Sequence, residues 1–396
     1  MDKYRLPKGF LASGIHCGLK KKRKDLALLF SKSPCKAEAV FTTNAVKAAP
    51  VVLAMKQLEK KTSLRAVFVN SGNANCMTGK RGLSDAREMS SRMSRILGTE
   101  PGSVLVSSTG IIGEPLDMKP ILRGAGRLAE NLSAGGLKDA AEGMITTDNF
   151  IKVSVRKFSA GGKEITVTGV AKGAGMIHPD MATTLCFILT DAVISRTALR
   201  KALKESAEES FNSITVDGDM STNDTMLVLA NGEASNRSIQ TGSKEFSAFS
   251  GAMKAVSTDL AKMIVRDGEG ANKMIEVTVK GARSRADARA AAKGIASSLL
   301  VKCAVLGGDP NWGRVASSAG ASGARFDPDK ITIKLDGTTF YRKGKAVVRT
   351  DRKKSRVFKG KKAGIEVSLG NGRGEARVYS CDISKKYITL NSYYTT

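Results

Sequence analysis

Short apolar runs separated by polar, glycine-rich segments recur along the whole chain. Runs rich in Val, Ile, Leu and Phe, bounded by turn-forming residues, are typical of buried strands. They predict strands at Leu26–Phe30, Ala66–Val69, Val104–Val106, Ile165–Val170, Leu185–Leu189, Met226–Leu229, Ile275–Val279 and Leu299–Val305.

Three segments have the apolar spacing of helices instead. One helix is predicted to start at the cap Ser84 and to stop at Gly98. Its apolar face consists of Ala86, Met89, Met93, Ile96 and Leu97. Ser284 and Asp287 resemble a capping box that opens a helix over Arg285–Ser297, and a third helix is predicted over Thr197–Ser210. The mixture of strands and helices, without a short repeat or a low-complexity linker, predicts an α/β or α+β fold with mixed sheets and interleaved domains.

Composition limits the class of protein. The 396 residues are 41% hydrophobic, which is enough for a large core. No window approaches the ~18 consecutive apolar residues of a membrane span. The N-terminal segment MDKYRLPKGFLASG lacks the apolar region of a signal peptide. We therefore expect a cytoplasmic protein.

Cysteine and histidine are too scattered for a metal site. The chain has 6 Cys without a CxxC pair, and its 2 His are far apart. Metal sites built from these residues need close pairs, so no metal is predicted and the thiols are expected to be free.

The net charge of +27 is the unusual feature of the composition. Basic residues cluster at Lys20–Lys24 and again between Arg342 and Lys362. Such clusters could bind nucleic acid. However, aromatic residues make up only 5% of the chain, and no helix-turn-helix, zinc finger or RNP-like motif is present. A solvated basic surface that attracts anionic small molecules is favoured, and nucleic-acid binding stays an alternative.

Polar, glycine-rich loops follow or precede several predicted strands. Loops at strand ends can bring polar groups together on a ligand while the sheet holds them rigid. Each loop alone resembles an ordinary turn, but their number favours an active site. They are Val69–Gly79, Ser107–Pro115, Thr146–Phe150, Thr215–Thr225, Arg266–Lys273 and Gly307–Arg314.

One loop leads directly into a buried strand through a pair of threonines, in the segment KGAGMIHPDMATTLCFILTDA. A Ser-His-Asp type of triad is not indicated, because His178 is the only histidine nearby. Thr183 could act as a nucleophile if its own α-amino group were the base, which requires a cut between Ala182 and Thr183. On the residues alone, the ordinary interpretation is a β-branched residue that opens a strand.

A resemblance favours the first interpretation. KGAGMIHPDMATTL resembles the autocleavage motif of the ornithine acetyltransferase family, the glutamate N-acetyltransferases of the cyclic arginine pathway. The resemblance covers the full length, and the other family motifs follow in order. They are GFLASGIHCGLK, DLALLFS, FTTNAVKAAPV, NSGNAN, SSTGIIGEPL, TTDNF, VDGDMSTNDT, RDGEGANK, GGDPNWGR and the ending LNSYYTT.

The resemblance implies an N-terminal-nucleophile-type α/β fold that cleaves itself. The α chain would be Met1–Ala182 and the β chain Thr183–Thr396, assembled as two α and two β chains. The enzyme would pass an acetyl group from N-acetylornithine to glutamate through an acetyl-threonine ester. Some family members also accept acetyl-CoA. No metal or organic cofactor is implied.

Residue roles follow from the same resemblance. Thr183 would be the nucleophile, and Thr109 and Gly110 would form the oxyanion hole. The positions that match substrate contacts are Thr146, Lys172, Thr183, Glu269, Asn391 and Thr396. By charge, we expect Lys172 to pair with a substrate carboxylate and Glu269 with the ornithine ammonium.

Four positions depart from the family pattern, and none of them removes a proposed chemical group. Ile145 replaces a usual Met, Thr184 stands where many members have a larger apolar residue, Asn272 stands where Thr is common, and Thr395 replaces a usual arginine. The last departure bears most on the C-terminal substrate contacts. A rival interpretation also remains: the same fold type supports self-cleaving aminopeptidases, in which water instead of glutamate attacks the acyl-threonine. Release of acetate instead of acetyl transfer would distinguish that hydrolase from the transferase.

Overall fold

The computed structural model describes residues 3–60, 63–178, 184–347 and 356–393. The described strands are β1 (Phe10–Ile15), β2 (Leu26–Phe41), β3 (Leu64–Asn73), β4 (Val104–Ile111), β5 (Lys152–Ala160), β6 (Lys163–Lys172), β7 (Leu185–Thr190), β8 (Thr225–Ala230), β9 (Met274–Ala282), β10 (Thr332–Leu335), β11 (Thr338–Arg342), β12 (Lys345–Ala346), β13 (Lys362–Ser368) and β14 (Gly374–Cys381). The described helices are α1 (Ala49–Glu59), α2 (Gly79–Ile96), α3 (Met118–Glu130), α4 (Leu137–Met144), α5 (Arg196–Glu209), α6 (Lys244–Arg266), α7 (Arg285–Ser297), α8 (Leu299–Gly307), α9 (Trp312–Gly320) and α10 (Lys385–Tyr393).

The first sheet contains β1 to β8 and mixes parallel and antiparallel pairs. Its strand order is β4-β3-β2-β8-β7-β6-β5, and β1 pairs with β2 beside this row. β7 runs parallel to β8 and antiparallel to β6. The neighbouring strands β8 and β7 therefore lie between β2 and β6, which come earlier in the sequence.

Both faces of this sheet are covered, which explains the continuous apolar run of β7. Successive side chains of a strand point to opposite faces. Cys186 and Ile188 belong to the core cluster that includes residues of α5 and α6. Phe187 and Leu189 belong to the cluster on the other face, which includes residues of α4. A strand buried on both faces needs apolar residues at every position.

The second sheet contains β9 to β14 in the order β12-β11-β10-β13-β9-β14. Its core is shared with α7, α8 and α9, and alanines of α7 such as Ala288 and Ala292 allow that helix to pack closely on the strands. The prediction of a mixed α/β fold is confirmed.

Most predicted elements are confirmed, with differences at their ends. The predicted strand Leu26–Phe30 is the first part of β2, which continues to Phe41 after a register shift between Phe30 and Cys35. The predicted helix over Arg285–Ser297 is confirmed, including the Ser284 side chain that accepts a hydrogen bond from the backbone N–H of Asp287. The predicted helix over Thr197–Ser210 is α5, shifted by one residue at each end.

Two predictions are wrong. Leu299–Val305 is not a strand but most of α8, since the Ser298 side chain caps its N-terminus and Gly308 follows its end in a left-handed conformation. The buried positions Val301, Ala304 and Val305 have helical spacing.

The second wrong prediction is the cap at Ser84, which lies inside α2 because that helix already begins at Gly79. The buried face of Ala86, Met89 and Met93 is confirmed.

Within the described ranges, no helix taken alone has the length and apolar character needed to cross a bilayer. Only α7 and α8 taken together, bent by 58°, meet that test.

Candidate active site

A cavity of about 300 Å³ lies where several strand ends and loops of the first sheet meet α10. Six of the predicted site residues line it: Thr109, Gly110, Thr146, Lys172, Glu269 and Asn391. Thr109 and Gly110 lie near the end of β4, and Lys172 is the last residue of β6. Segments that are far apart in the sequence thus contribute lining residues to the same cavity.

The remaining predicted positions, Ala182, Thr183 and Thr396, lie outside the described residues. Thr184, the next residue after Thr183, is described and lines the cavity. Its carbonyl oxygen accepts a hydrogen bond of 2.9 Å from the backbone N–H of Thr225, which fixes the start of β7 beside β8.

Lys172 organises one wall of the cavity. Its Nζ donates hydrogen bonds to Oγ1 of Thr109 at 3.1 Å and to Oγ1 of Thr146 at 2.9 Å. Because each hydroxyl accepts from the ammonium, its own hydrogen is available for a different acceptor. Burial lowers the pKa of Lys172, and the nearby carboxyl of Asp148 opposes that shift.

Gly110 is required by a close approach of two strands. Its φ is +136°, and a Cβ placed there would lie 2.2 Å from the backbone carbon of Gly72 and 2.4 Å from the backbone nitrogen of Asn73. No side chain fits in that space. Gly110 is therefore more than an ordinary turn glycine, since β3 and β4 could not keep their spacing with a larger residue.

Glu269 also lines the cavity and is held in place by its neighbours. Its backbone N–H donates to the carbonyl of Ala174 at 2.8 Å, and its Oε2 accepts from Nδ2 of Asn391 at 2.9 Å. A Cβ at Gly175 would lie 2.5 Å from the Glu269 carboxyl carbon, so glycine makes room for that carboxylate. The buried Glu269 side chain is thus held at a fixed position in the cavity wall.

A buried ionic cluster supports the loop that carries Thr146. Lys152 donates to Oδ1 of Asp148 and to Oδ2 of Asp267, both at 2.6 Å. Asp148 also accepts from the backbone N–H groups of Thr146 at 3.0 Å and Gly173 at 2.7 Å. Burial alone would raise the pKa of Asp148, but the ammonium groups of Lys152 and Lys172 hold it well below its usual range.

The first basic cluster of the sequence partly serves the same loop. Nζ of Lys20 donates to the carbonyl of Ile145 at 2.9 Å, and burial lowers the pKa of Lys20 to about 8. Lys24 forms ion pairs with Asp139 and Glu142 of α4. These two lysines therefore have structural partners.

Three further carboxyls, Asp217, Asp219 and Asp224, line the cavity. The backbone N–H groups of Met176 and Ile177 donate to Asp217 at 2.6 and 2.8 Å, and burial nevertheless raises the pKa of Asp217 to about 6. Burial raises the pKa of Asp224 well above its usual range.

The sequence analysis identified the loops that contain Asp148, Asp217, Asp224 and Asp267. It did not predict a role for the aspartates themselves. The loops Thr146–Phe150, Thr215–Thr225 and Arg266–Lys273 contain them all. The available signal was an Asp directly beside a predicted buried strand, as Asp224 is beside β8. In the described part of the chain, no group of three His, Cys, Asp or Glu side chains is arranged to hold a metal ion.

Comparisons with known proteins agree with the family resemblance. The sequence model of the ArgJ family matches residues 11–396. An arginine biosynthesis bifunctional protein ArgJ from Caldanaerobacter subterraneus subsp. tengcongensis is 47% identical, over 100% of this chain and 98% of its own length. The protein of that name from Thermotoga neapolitana is 46% identical, over 99% and 100% respectively.

Among solved structures, an arginine biosynthesis bifunctional protein argJ from Bacillus halodurans is 40% identical. The match covers 46% of this chain and 96% of that chain, with a TM-score of 0.44. With the family model and both relatives matching nearly the whole sequence, the chain belongs to the ArgJ family.

Proposed function

We propose that this cavity transfers an acetyl group from N2-acetyl-L-ornithine to L-glutamate through an ester on Thr183, a step of arginine biosynthesis. One observation carries the proposal. Six residues that match the family's catalytic and substrate-binding positions line one cavity, and Thr184 lines it with them. Thr183 directly precedes Thr184 in the sequence.

Self-cleavage comes first. The Thr183 hydroxyl attacks the carbonyl carbon of Ala182, and the acyl group moves from the Thr183 nitrogen to its oxygen. Water then hydrolyses this ester, which leaves a carboxylate on Ala182 and a free hydroxyl and α-amino group on Thr183. The strand pairs β6–β7 and β2–β8 join segments from both sides of the cut, which supports two chains that stay together.

Acetyl transfer follows in two halves. The α-amino group of Thr183 takes the hydroxyl proton as the oxygen attacks the acetyl carbonyl of N-acetylornithine. The C–N bond breaks, and the departing α-amine of ornithine takes that proton. In the second half, the neutral α-amine of glutamate attacks the acetyl ester, and the Thr183 oxygen leaves and recovers a proton. N-acetylglutamate is the product, and the enzyme returns to its initial state.

Thr109 and Gly110 are proposed to stabilise the oxyanion of each tetrahedral intermediate. The Thr109 oxygen already accepts from Lys172, so its hydroxyl hydrogen can point into the cavity. The backbone N–H of Gly110 would supply the second donor. A donor of this kind typically contributes about 3–4 kcal/mol to the transition state.

Substrate recognition is proposed to rest on the two fixed charges of the cavity. Lys172 would bind the substrate carboxylate, with the Thr146 hydroxyl beside it. Glu269, oriented by Asn391, would bind the side-chain ammonium of ornithine. Thr396 would complete the set of substrate contacts.

The assembly is proposed to contain two α chains (1–182) and two β chains (183–396). A cytoplasmic location, expected from the sequence, stays a prediction.

The assay that tests the proposed function follows the transfer of a labelled acetyl group. Purified protein is incubated with N-acetylornithine labelled in its acetyl group, with and without glutamate. We expect labelled N-acetylglutamate in the presence of glutamate and little free acetate without it. Release of acetate at the same rate with or without glutamate would instead indicate a hydrolase. Replacing N-acetylornithine by acetyl-CoA tests the second acetyl donor that the family resemblance implies.

A further inference from the structure

A short turn that follows β6, residues 173–177, forms part of the cavity wall. Gly173, Gly175 and Met176 of this turn line the cavity. Met176 has a φ of +56°, a left-handed conformation that residues other than glycine rarely adopt because their Cβ approaches a backbone carbonyl oxygen. A residue keeps such a conformation only where the surrounding structure holds it there.

Asp217 is the side chain that holds this turn. Its Oδ2 accepts a hydrogen bond from the backbone N–H of Met176 at 2.6 Å, and its Oδ1 accepts from that of Ile177 at 2.8 Å. A carboxylate has two acceptor oxygens for these two N–H groups, whereas an amide side chain has only one. The preceding residue, Val216, is itself fixed, because its N–H donates to the carbonyl of Ile177 at 2.9 Å and its carbonyl accepts from Lys302 at 2.8 Å.

The same turn is in contact with Glu269. The backbone N–H of Glu269 donates to the carbonyl of Ala174 at 2.8 Å. Gly175 lies so close to the Glu269 side chain that a Cβ would be 2.5 Å from the carboxyl carbon and 2.6 and 2.7 Å from the two carboxyl oxygens. Because these groups are closely packed, a movement of the turn either displaces the carboxyl group or opens a gap beside it.

We infer that Asp217 is a positioning residue for the donor substrate: it fixes the turn at residues 173–177 and thereby the Glu269 carboxyl that packs against it. The inference rests on the proposed function, in which Glu269 binds the side-chain ammonium of ornithine. Glutamate, the acetyl acceptor, has no side-chain ammonium. Loss of the Asp217 carboxylate should therefore impair the reaction with N-acetylornithine more than the reaction with glutamate, whereas a role in stability alone would impair both equally.

The test compares kcat/KM for N-acetylornithine with kcat/KM for glutamate in the variant Asp217→Asn. In a ping-pong reaction, each value reports its own half of the cycle. Burial raises the pKa of Asp217 to about 6, so assays at about pH 8 keep this carboxyl ionised in the wild type. The value for N-acetylornithine should fall by about 10–100-fold and that for glutamate by less than about threefold.

Asp219→Asn is the matched control for the loss of a carboxylate. Asp219 lines the same cavity, but it is exposed. The ratio of its two kcat/KM values should stay within about threefold of the wild-type ratio. An Asp217→Asn enzyme that loses both values equally would overturn the inference.

A double-mutant cycle tests the link through Met176. Glycine adopts a positive φ without a steric penalty, so the turn of Met176→Gly should keep its conformation without the Asp217 carboxylate. In the Met176→Gly background, Asp217→Asn should therefore lower kcat/KM for N-acetylornithine by less than about threefold, compared with about 10–100-fold in the wild type. Equal losses in the two backgrounds would also overturn the inference.

The intact mass first establishes that each variant is cut. If Asp217→Asn stays uncut, the two kcat/KM values are recorded for Met176→Val, because a β-branched residue is strained at a positive φ. The value for N-acetylornithine should then fall about tenfold more than the value for glutamate. An unchanged ratio, or a Met176→Val variant that also stays uncut, would overturn the inference. A wild-type protein that is uncut or transfers no acetyl group would instead contradict the proposed function itself.

Discussion

Lys152 and Lys172 lie near each other in the fold, but their ammonium groups differ in the number of hydrogen-bond acceptors around them. The Lys152 ammonium is fully buried and donates to three acceptors: Asp148, Asp267 and the carbonyl of Phe150. The Lys172 ammonium donates to two hydroxyls, those of Thr109 and Thr146, and has no third acceptor in the part of the chain that the structure describes. An ammonium carries three donors, so Lys172 retains one that can face the cavity.

The same contrast recurs between Lys302 and Asp224. Lys302 of α8 is buried and donates to the carbonyls of Val216 and Cys381 and to the Ser380 hydroxyl, at 2.6 to 2.9 Å. Asp224, in the same loop region as Val216, keeps an unpartnered oxygen. Lys152 and Lys302, which support the site, use all three of their donors, whereas Lys172 and Asp224, which line the cavity, retain hydrogen-bonding capacity.

The largest effect is expected from replacing Lys152, whose three ammonium donors are all used in hydrogen bonds. Lys152→Met would leave Asp148 and Asp267 buried without a cation. We expect the apparent free energy of unfolding to fall by about 3–5 kcal/mol, measured as a lower Tm at fixed protein concentration. Lys157→Met on the same strand is the control, since solvent screens the exposed pair of Lys157 with Glu164 and its loss should lower Tm far less. Equal Tm values for the two variants would contradict the comparison.

Lys172→Met tests the lysine that retains an unused hydrogen-bond donor. It removes the cation that orients the Thr109 and Thr146 hydroxyls, so kcat/KM should fall by about 10²–10³-fold. Its stability should change by less than about 1 kcal/mol, because both hydroxyls line the cavity and can bind water instead. A large loss of Tm with activity retained would reverse the assignment of the two lysines.

Gly110→Ala, compared with Gly113→Ala, tests the proposed oxyanion hole. Gly113 also has a positive φ, +89°, but a Cβ there has nothing within 4 Å. Gly113→Ala should therefore lose only about 1–2 kcal/mol of stability for its backbone conformation. Gly110→Ala should lose about 1–3 kcal/mol more, because its Cβ meets Gly72, and should also lose acetyl transfer. Equal unfolding midpoints would show that β3 and β4 separate without strain.

The smallest effect is expected from Asp217→Asn. This variant tests whether a cavity carboxyl that has hydrogen-bond partners still has a raised pKa. Its pKa is raised to about 6, so between pH 4 and 6 the folded state binds more protons than the unfolded state. Stability should therefore fall as pH rises through this window, by about 1–2 kcal/mol after allowing for partial exposure. The difference in Tm between wild type and Asp217→Asn, recorded from pH 4 to 6, measures it. A constant difference would contradict the raised pKa.

Sequence patterns predicted strands buried on both faces better than helices without clear caps. The strand β7 was predicted correctly from the continuous apolar run Leu185–Leu189, which directly follows a glycine-rich loop. α8 was missed because a short apolar run fits either structure, and the Ser298 cap was not considered. The start of α2 was missed because Ser84 was taken as the cap, whereas the helix begins at Gly79 without a capping hydrogen bond from the Thr78 side chain.

The site was predicted in part, for a physical reason. Family motifs identified Lys172 and Glu269, and the loops at strand ends were expected to converge. Partners that lie far away in the sequence, such as Asp267 for Lys152 and Val216 for Lys302, depend on the folded topology. Local patterns carry no information on such contacts.

The most direct test of the central claim is the intact mass of the purified protein under denaturing conditions, compared with that of Thr183→Ala. The account predicts two chains in the wild type, which meet at Ala182 and Thr183, and one uncut chain without acetyl transfer in the variant. A wild-type protein that transfers acetyl groups as a single uncut chain would contradict it, since Thr183 would then have no α-amino group to serve as its base.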